Sequence, residues 1–438
     1  MGINNQKVIN AWCMYDWANS VYSLVITSTI FPVYYNSVTK TGIGNDLVSF
    51  FGWQVPNTVL YSYSLSFSFL LIAILSPPLS GIADYGGKRK SFMKFFTYIG
   101  GASCILLYFF KGVHVEYGII LSILASTGYS GGLVFYNSYL PVIASEDKYD
   151  IVSAKGFSLG YIGGVILLLI NLVMISKPDW FGFTDPSAPA RVSFLMVGVW
   201  WIAFAQIPFH YLPRNQGQKR GDRSIIIKGY QELNKVLKSL KELPVLKRFL
   251  VSFFFYNTGV QTVMYLSATF GDKALNLDGD KLILTVLIIQ LVAIAGSYIF
   301  AGISKRRGNK HALIIMVFIW ILICLAAYFI RTEYHFYALA FVVGLVMGGI
   351  QAISRSTYSK LIPVNTIDHT SYFSFYDVTE KVSIVVGTFS YGFIEQITGN
   401  MRNSALSLVL FFLVGLGFLL LIRIPMPVSG KAGAKASR

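Results

Sequence analysis

Two short stretches, 221 residues apart, decide the fold of this chain. Gly81–Lys90 reads GIADYGGKRK, and Gly302–Lys310 reads GISKRRGNK. Each follows a long apolar segment, and a glycine, an isoleucine, a second glycine and a basic cluster stand in register. A second pair, Leu140–Val142 (LPV) and Ile362–Val364 (IPV), repeats at almost the same spacing. The sequence therefore predicts two related halves that run parallel to each other.

The composition is that of a membrane protein. Of the 438 residues, 54% are hydrophobic and 13% are charged, whereas about a quarter of a soluble domain is charged. The apolar content also excludes a disordered chain. The net charge of +16 does not indicate a nucleic-acid binder, because Lys and Arg fall in short bursts between apolar stretches instead of on one polar face.

Twelve stretches reach the roughly 20 apolar residues that a membrane span needs. The predicted fold is all-α, with twelve transmembrane helices in two six-helix bundles. The expected spans are 9–37, 57–83, 91–111, 115–143, 151–176, 191–212, 246–271, 281–303, 310–331, 335–362, 370–397 and 403–424.

The distribution of basic residues predicts the orientation. An even number of spans puts both termini on one side, and that side holds 26 of the 36 Lys and Arg, against eight on the other. By the positive-inside rule both termini are cytoplasmic. The surplus positive charge then faces anionic membrane lipids.

The longest polar interval divides the chain into domains. We expect an N-terminal six-helix bundle at 1–212, a linker at 213–245, a C-terminal six-helix bundle at 246–424 and a cytoplasmic tail at 425–438. Within the linker, apolar residues recur at helical spacing between Ser224 and Leu243. They predict an amphipathic helix on the cytoplasmic lipid surface, although a helix that binds a partner protein has the same pattern.

The turn after the second span contains the residues of a gate. Gly87 permits a tight turn, and Lys88 and Arg89 lie at the lipid headgroups. Asp84, at the membrane edge, is placed to bond helix N-termini in the other half and close the cytoplasmic side. An ordinary basic hairpin is the alternative. In the second copy of this turn, Lys305 occupies the position of Asp84. The sequence therefore predicts a latch that contains an acid in one half only.

This turn resembles the signature loop of the major facilitator superfamily. The order Asp-x-x-Gly-basic-basic, at its position in a six-plus-six repeat, carries the resemblance. It implies a transporter whose site lies between the halves near the middle of the bilayer.

Charged side chains inside spans are costly and mark functional candidates. Asp16 lies in span one, with Asn19 one turn further on the same face. Arg355 lies in span ten, and Asp377 and Glu380 share a face of span eleven. Two interpretations are open: a salt-bridge cluster that closes the inner gate, or a site that binds substrate or a proton.

Other polar residues extend this candidate site. They lie on spans one, four, seven and ten, which line the cavity in the superfamily that the loop resembles. Hydrogen bonding between helices explains any one of them equally well. The further candidates for substrate binding or ion coupling are Tyr22, Asn137, Asn257, Gln261 and Gln351.

Enzyme motifs are missing from the sequence. The five histidines lie at span ends or in loops without ligand spacing, and no phosphate-binding Gly-Lys-Ser/Thr loop is present. We therefore expect no catalytic residues, no metal and no cofactor.

Tyr15–Tyr22, which reads YDWANSVY, resembles the vacuole effluxer family. That family includes a fungal autophagy-linked vacuolar amino-acid exporter and many bacterial members. Where its members typically have an acid after Tyr256-Asn257, this chain has Thr258. The resemblance spans the chain and implies secondary transport of amino acids or related solutes in a bacterial inner membrane. Four further stretches match: Gly81–Lys90, Tyr256–Thr262, Gly348–Ser356 and Phe373–Lys381.

From these features we expect a secondary active transporter of a small solute that works by alternating access. An amino acid or related zwitterion is favoured, since Asp16 and Arg355 offer opposite charges in facing halves. Its partners are the solute, membrane lipids and a proton or other coupling ion, and it is expected to be a monomer that binds no nucleic acid. Two alternatives are open: an exporter of amphipathic cations or drugs, and a receptor or scaffold that does not transport.

Overall fold

A computed structural model of the chain describes residues 2–40, 47–214, 225–363 and 366–422. The predicted tail at 425–438 lies outside the described residues. The first half contains α1 (Gln6–Val21), a π-helical segment (Tyr22–Ile30), α2 (Phe31–Thr39), α3 (Asn57–Gly86), α4 (Arg89–Leu106), α5 (Val115–Asn137), α6 (Leu140–Ile143), α7 (Tyr149–Ser176) and α8 (Ala188–Tyr211).

An antiparallel hairpin of β1 (Leu47–Phe50) and β2 (Trp53–Pro56) connects α2 to α3. The linker contains α9 (Ile225–Glu242), where the sequence predicts an amphipathic helix. The second half contains α10 (Pro244–Leu275), α11 (Gly279–Arg307), α12 (Asn309–Phe329), α13 (Glu333–Leu361), α14 (His369–Thr398) and α15 (Met401–Leu421).

Nine helices in the described part of the chain are long and apolar enough to cross a membrane. They match nine of the twelve predicted spans. The first, seventh and eleventh spans correspond to α1 through α2, to α10 and to α14, which fall outside these nine. These three carry the candidate site residues Asp16, Asn257 and Asp377.

Each half packs around its own hydrophobic core. The buried members of the first core come from residues before 213, and the second core lies almost wholly beyond residue 235. Ala154 and Tyr161 of α7 join the second core, which brings the halves into contact. On the outer surface, large apolar side chains such as Phe67, Ile74 and Phe389 are exposed, as expected where helices face lipid.

The two repeated turns lie at the same end of the molecule, which we call the basic end. Gly87 ends α3 in a left-handed conformation with φ 62°, and Gly308 separates α11 from α12 with φ 84°. Both glycines occupy the same register position in the repeat, 221 residues apart. A side chain is strained at these angles, so the repeat conserves the residue that each turn requires.

Candidate functional site

A cavity of about 180 Å³ lies between the two halves. Its wall is formed by α1, the π-helical segment, α3, α5 and α7 of the first half and by α10, α11, α13 and α14 of the second. Seven of the ten predicted site residues line it: Asp16, Asn137, Asn257, Gln261, Gln351, Arg355 and Glu380.

Three predicted site residues do not line this cavity: Asn19, Tyr22 and Asp377. A helix turns about 100° per residue, so Ser20 projects closer to the direction of Asp16 than Asn19 does, and Tyr22 projects away. Ser20 accordingly lines the cavity, while Asn19 and Tyr22 are buried elsewhere. Neither of the two side chains lines the cavity, because a face shared by residues i and i+3 is too broad to fix which side chains enter a narrow cavity.

Asp16 and Arg355 meet across the two halves at the wall of the cavity. Both terminal nitrogens of Arg355 lie 3.4 Å from Asp16 Oδ2. The hydroxyl of Tyr136 donates to the same oxygen at 2.6 Å. The pair is almost fully buried, with side chains 2% and 5% exposed. Breaking such a pair by removing one partner costs about 3–5 kcal/mol.

Arg355 has little hydrogen-bonding capacity left. Its Nε donates to Ser153 Oγ at 2.9 Å, Nη2 donates to the Ser153 carbonyl at 2.9 Å, and Nη1 donates to Asn137 Oδ1 at 3.2 Å. Three rings of the first half, those of Trp12, Tyr136 and Phe157, surround the guanidinium at 4.8, 5.5 and 4.1 Å. Arg355 therefore joins the halves and is poorly placed to bind a passing solute.

Gly156 of α7 makes room for this pair. A Cβ at that position would lie 2.5 Å from Asp16 Oδ2 and 3.0 Å from Arg355 Nη2. Ser153 and Tyr136, which complete the network, are residues that sequence reasoning missed. Each is ordinary in its own span, and only the packing of the helices brings it to Arg355.

A second charged cluster lies on α14. Lys381 Nζ is 3.2 Å from Glu380 Oε1 and 3.5 Å from Asp377 Oδ1. Glu380 and Lys381 line the cavity, whereas Asp377 is buried beside Lys381. This cluster lies within one half, so it does not tie the halves together. Lys381, a further charged residue of span eleven, completes the cluster.

Amide side chains of the cavity are held in place by neighbouring hydroxyls. Tyr161 Oη donates to Gln351 Oε1 at 2.6 Å, joining α7 to α13. Asn257 Nδ2 donates to Ser383 Oγ at 2.6 Å. In the described part of the chain, no three side chains of His, Cys, Asp or Glu form a group that could hold a metal ion.

Asp84 joins the halves at the basic end. Its carboxylate accepts the backbone N–H of Thr370 at 3.2 Å and that of Ser371 at 2.7 Å, in the first turn of α14. The Ser371 hydroxyl also donates to it at 2.9 Å. This is the contact with a helix N-terminus of the other half that the sequence indicated for Asp84. Its role as a gate stays a prediction.

The other residues of the predicted gate divide into buried and exposed. Arg89 is buried, with Nη2 3.3 Å from Asp84 Oδ1 and Nε donating to Thr370 Oγ1 at 2.8 Å. Gly87 forms the left-handed end of α3. Lys88 is exposed beside it. Arg89 thus belongs to the contact between the halves, and Lys88 lies at the surface.

A second acid joins the halves at the basic end. Asp150, in the first turn of α7, accepts from Ser304 Oγ at 3.0 Å, from Asn309 Nδ2 at 2.9 Å and from Lys360 Nζ at 2.9 Å. Asp150, like Asp84, belongs to the first half, so both acids of these two contacts lie in one half. In the second copy of the turn, Lys305 stands at the position that Asp84 occupies in the first copy, and Asp150 of α7 supplies the acid there instead. The register of the repeat does not show this, because Asp150 lies outside the repeated turn.

Two parallel halves around a central cavity define a transporter of the major facilitator superfamily. The superfamily transporter FucP, in the outward conformation, has a TM-score of 0.69 and 13% identity over 96% of this chain and 98% of its own. The proton:xylose symporter XylE has a TM-score of 0.71 and 12% identity over 95% of each chain. These likenesses establish the fold, and the predicted fold class is confirmed.

The chain belongs to the vacuole effluxer Atg22-like family, whose model matches residues 4–427. The uncharacterized MFS-type transporter YxiO of Bacillus subtilis (strain 168) is 31% identical over 414 residues, 94% of this chain and 93% of that protein. Autophagy-related protein 22 of Yarrowia lipolytica (strain CLIB 122 / E 150) is 23% identical over 463 residues, 86% of this chain and 77% of that protein. The family inferred from Tyr15–Tyr22 and the four other stretches is confirmed.

Proposed function

We propose that the chain is a secondary active transporter that carries an amino acid or a related small zwitterion by alternating access. The observation that carries this proposal is the cavity between the halves, since it combines a small volume with charges of both signs. Glu380 offers a carboxylate to an ammonium group, and Lys381 offers an ammonium to a carboxylate. The amide side chains of Asn257, Gln261 and Gln351 add neutral hydrogen-bonding groups to the wall of the same cavity.

The volume supports a small solute. Drug-sized ligands occupy pockets of roughly 300–1,000 Å³, and this cavity has about 180 Å³. Its aromatic lining, which includes Phe69, Tyr129 and Tyr161, supports export of an amphipathic cation as the second candidate. That candidate requires the cavity to widen, whereas an amino acid does not.

Contacts between the halves support alternating access. Asp84 and Asp150 join the halves at the basic end. Towards the other end the cavity extends to Ser28, which is exposed. We assign the basic end to the cytoplasm of a bacterial inner membrane because of the distribution of Lys and Arg. The cavity then faces outward in this conformation, in a chain that acts as a monomer.

Counterflow tests the proposal directly. Purified protein is reconstituted into liposomes preloaded with one unlabelled amino acid, and uptake of the same labelled amino acid is followed for each candidate in turn. We expect transient accumulation of at least one amino acid. Gln261→Leu, in the cavity, should lower the initial rate about tenfold, the equivalent of losing one good hydrogen bond to the solute.

A matched variant controls for folding. Gln206→Leu makes the same change on the outer face of α8, where Gln206 is exposed and bonded to Tyr98, and should leave the rate near that of the parent. Counterflow of a labelled lipophilic cation without counterflow of any amino acid would establish the second candidate. Absence of counterflow for every solute, from protein whose folding is verified, would favour a receptor or scaffold.

A further inference from the structure

The charges on α14 do not balance. Asp377, Glu380 and Lys381 lie within about one helical turn and contribute two carboxylates and one ammonium. Lys381 Nζ is shared between them, at 3.2 Å from Glu380 and 3.5 Å from Asp377. One negative charge therefore remains on the cluster when all three groups are ionised.

No described neighbour supplies the missing positive charge. The charged groups that act on Asp377 are Lys381 and Glu380 of its own helix. The titratable groups that face Lys381 from other helices are Tyr129 of α5 and Tyr265 of α10, and a tyrosine carries no positive charge in either protonation state. From α3 the ring of Phe69 lies 5.7 Å from Lys381 Nζ. The helix α15, packed behind α14, has no titratable side chain between residues 403 and 421. Arg355 is committed to Asp16, Ser153 and Asn137.

The two carboxylates differ in their surroundings. Asp377 is 4% exposed, and its Oδ2 has no hydrogen-bond partner in the described part of the chain. The side chain of Glu380 is 22% exposed and lines the cavity. A bare carboxylate oxygen buried in a span is costly, whereas Glu380 keeps contact with water and with Lys381. The uncompensated charge thus falls on Asp377.

We infer that this cluster is the ion-coupling site and binds one proton, held at Asp377 Oδ2. The inference rests on the proposed transport function and names the ion that drives it. Asp377 is buried beside the cavity wall, so water must first reach Oδ2 from the cavity. A hydronium ion there gives up a proton and becomes water, an O–H bond forms at Oδ2, and the carboxylate becomes a neutral acid. Loss of that proton to the other side, once the opposite end has opened, restores the carboxylate. One proton then crosses per cycle.

Protonation also prepares the cavity for a zwitterion. While Asp377 is ionised, Lys381 is shared by two carboxylates. Once Asp377 is neutral, Glu380 is the remaining counter-charge of Lys381, so Lys381 attracts the carboxylate of the solute more strongly than before. Proton and solute therefore bind in the same conformation, as symport requires.

Infrared difference spectroscopy tests the site without any solute. The full chain in lipid nanodiscs is compared between acid and alkaline pH, and the C=O band of a protonated carboxyl is followed. Exposed carboxyls contribute to this band in every variant, so the component of interest is the one at the high frequency of a carboxyl shielded from water. We expect that component to titrate in the parent, to be absent in Asp377→Asn and to be present in Asp16→Asn and Glu395→Gln. Persistence of the full high-frequency component in Asp377→Asn, its loss in Asp16→Asn, or its absence in the parent would overturn the inference.

A second variant guards against misfolding. Lys381→Gln removes the only cation of the cluster, so both carboxyls lose compensation and the protonated-carboxyl band should grow. A misfolded protein would expose both groups to water and show no such growth. An unchanged band in folded Lys381→Gln would contradict the assignment to this cluster.

Transport assays separate this inference from the proposed function. For a solute that shows counterflow, Asp377→Asn should lower accumulation driven by a pH gradient about tenfold more than it lowers exchange. Equal losses would overturn proton coupling and leave the transport proposal standing. If no solute shows counterflow, the transport proposal fails, while the infrared result still decides whether Asp377 holds a proton.

Discussion

Two contacts at the basic end each place a buried carboxylate between the halves, but the partners of the two carboxylates differ. In the first, Asp84 at the end of α3 accepts hydrogen bonds from backbone amides at the start of α14. In the second, Asp150 at the start of α7 accepts hydrogen bonds from side chains of α11, α12 and α13, including that of Lys360. Both carboxylates are buried, at 7% and 6% exposure.

The difference lies in which charges cross between the halves. Asp84 already has Arg89 of its own half as a counter-charge, and the other half contributes neutral donors. Asp150 takes its counter-charge, Lys360, from the other half. In both contacts the first half supplies the acid, and the second copy of the turn has Lys305 at the position of Asp84. What the fold preserves is a buried carboxylate between the halves and not the position of that carboxylate in the repeat.

The largest effect is expected at the second contact. Asp150→Asn leaves Lys360, whose side chain is 5% exposed, as a buried ammonium without a counter-charge. It should shift the equilibrium towards opening of the basic end by about 3–5 kcal/mol. Spin labels at the exposed positions Lys88 and Arg307, one in each half, report the separation of the two turns by electron–electron distance measurement.

Asp147→Asn is the matched control, because Asp147 is exposed and bonds only to Ser145 of its own half among the described contacts. It should leave the distance distribution unchanged. If Asp150→Asn also matches the parent, the second contact does not hold the halves together. Adding Lys360→Met to Asp150→Asn should recover part of the closed population, since it removes the stranded charge.

A smaller effect is expected at the first contact. Asp84→Asn keeps an acceptor oxygen for the amides of Thr370 and Ser371, and Arg89 retains its bond to Thr370. The same spin labels should show a shift towards the open basic end of about 1–3 kcal/mol. A larger shift for Asp84→Asn than for Asp150→Asn would reverse the comparison.

The two glycines of the repeated turns should also differ. Gly87 has φ 62° and ψ 28°, inside the left-handed helical region, whereas Gly308 has φ 84° and ψ 156°, which only glycine adopts readily. Gly308→Asn should lower the free energy of unfolding by about 2 kcal/mol, and Gly87→Asn by less, since asparagine tolerates the left-handed region. Thermal unfolding of the purified variants in detergent measures both. Equal melting temperatures would show that the turns are equivalent despite their angles.

Orientation can be tested without disturbing either contact. Single cysteines replace Lys90, at the basic end, and Lys40, at the opposite end. An impermeant thiol reagent added to whole cells should label position 40 and leave position 90 unlabelled until the cells are opened. Labelling of position 90 from outside would invert the topology, and the two contacts would then close the outer side.

The sequence by itself determined the class of protein, the family and the helical segments. Hydropathy and the repeated motif at Gly81–Lys90 are properties of short stretches of sequence, so they can be recognised without a structure. For the same reason, the sequence was enough to identify the glycines of both turns and to place Asp84 beside a helix N-terminus of the other half.

Only the tertiary structure decided which charges meet. Asp16 and Arg355 are 339 residues apart, and Asp150 and Lys360 are 210 apart. Whether a polar residue enters the cavity depends on the rotation of its helix, as Ser20 and Asn19 show, and on what packs against it. A buried charge takes the nearest partner that packing provides, whichever half or helix supplies it, and no local pattern in the sequence records that choice.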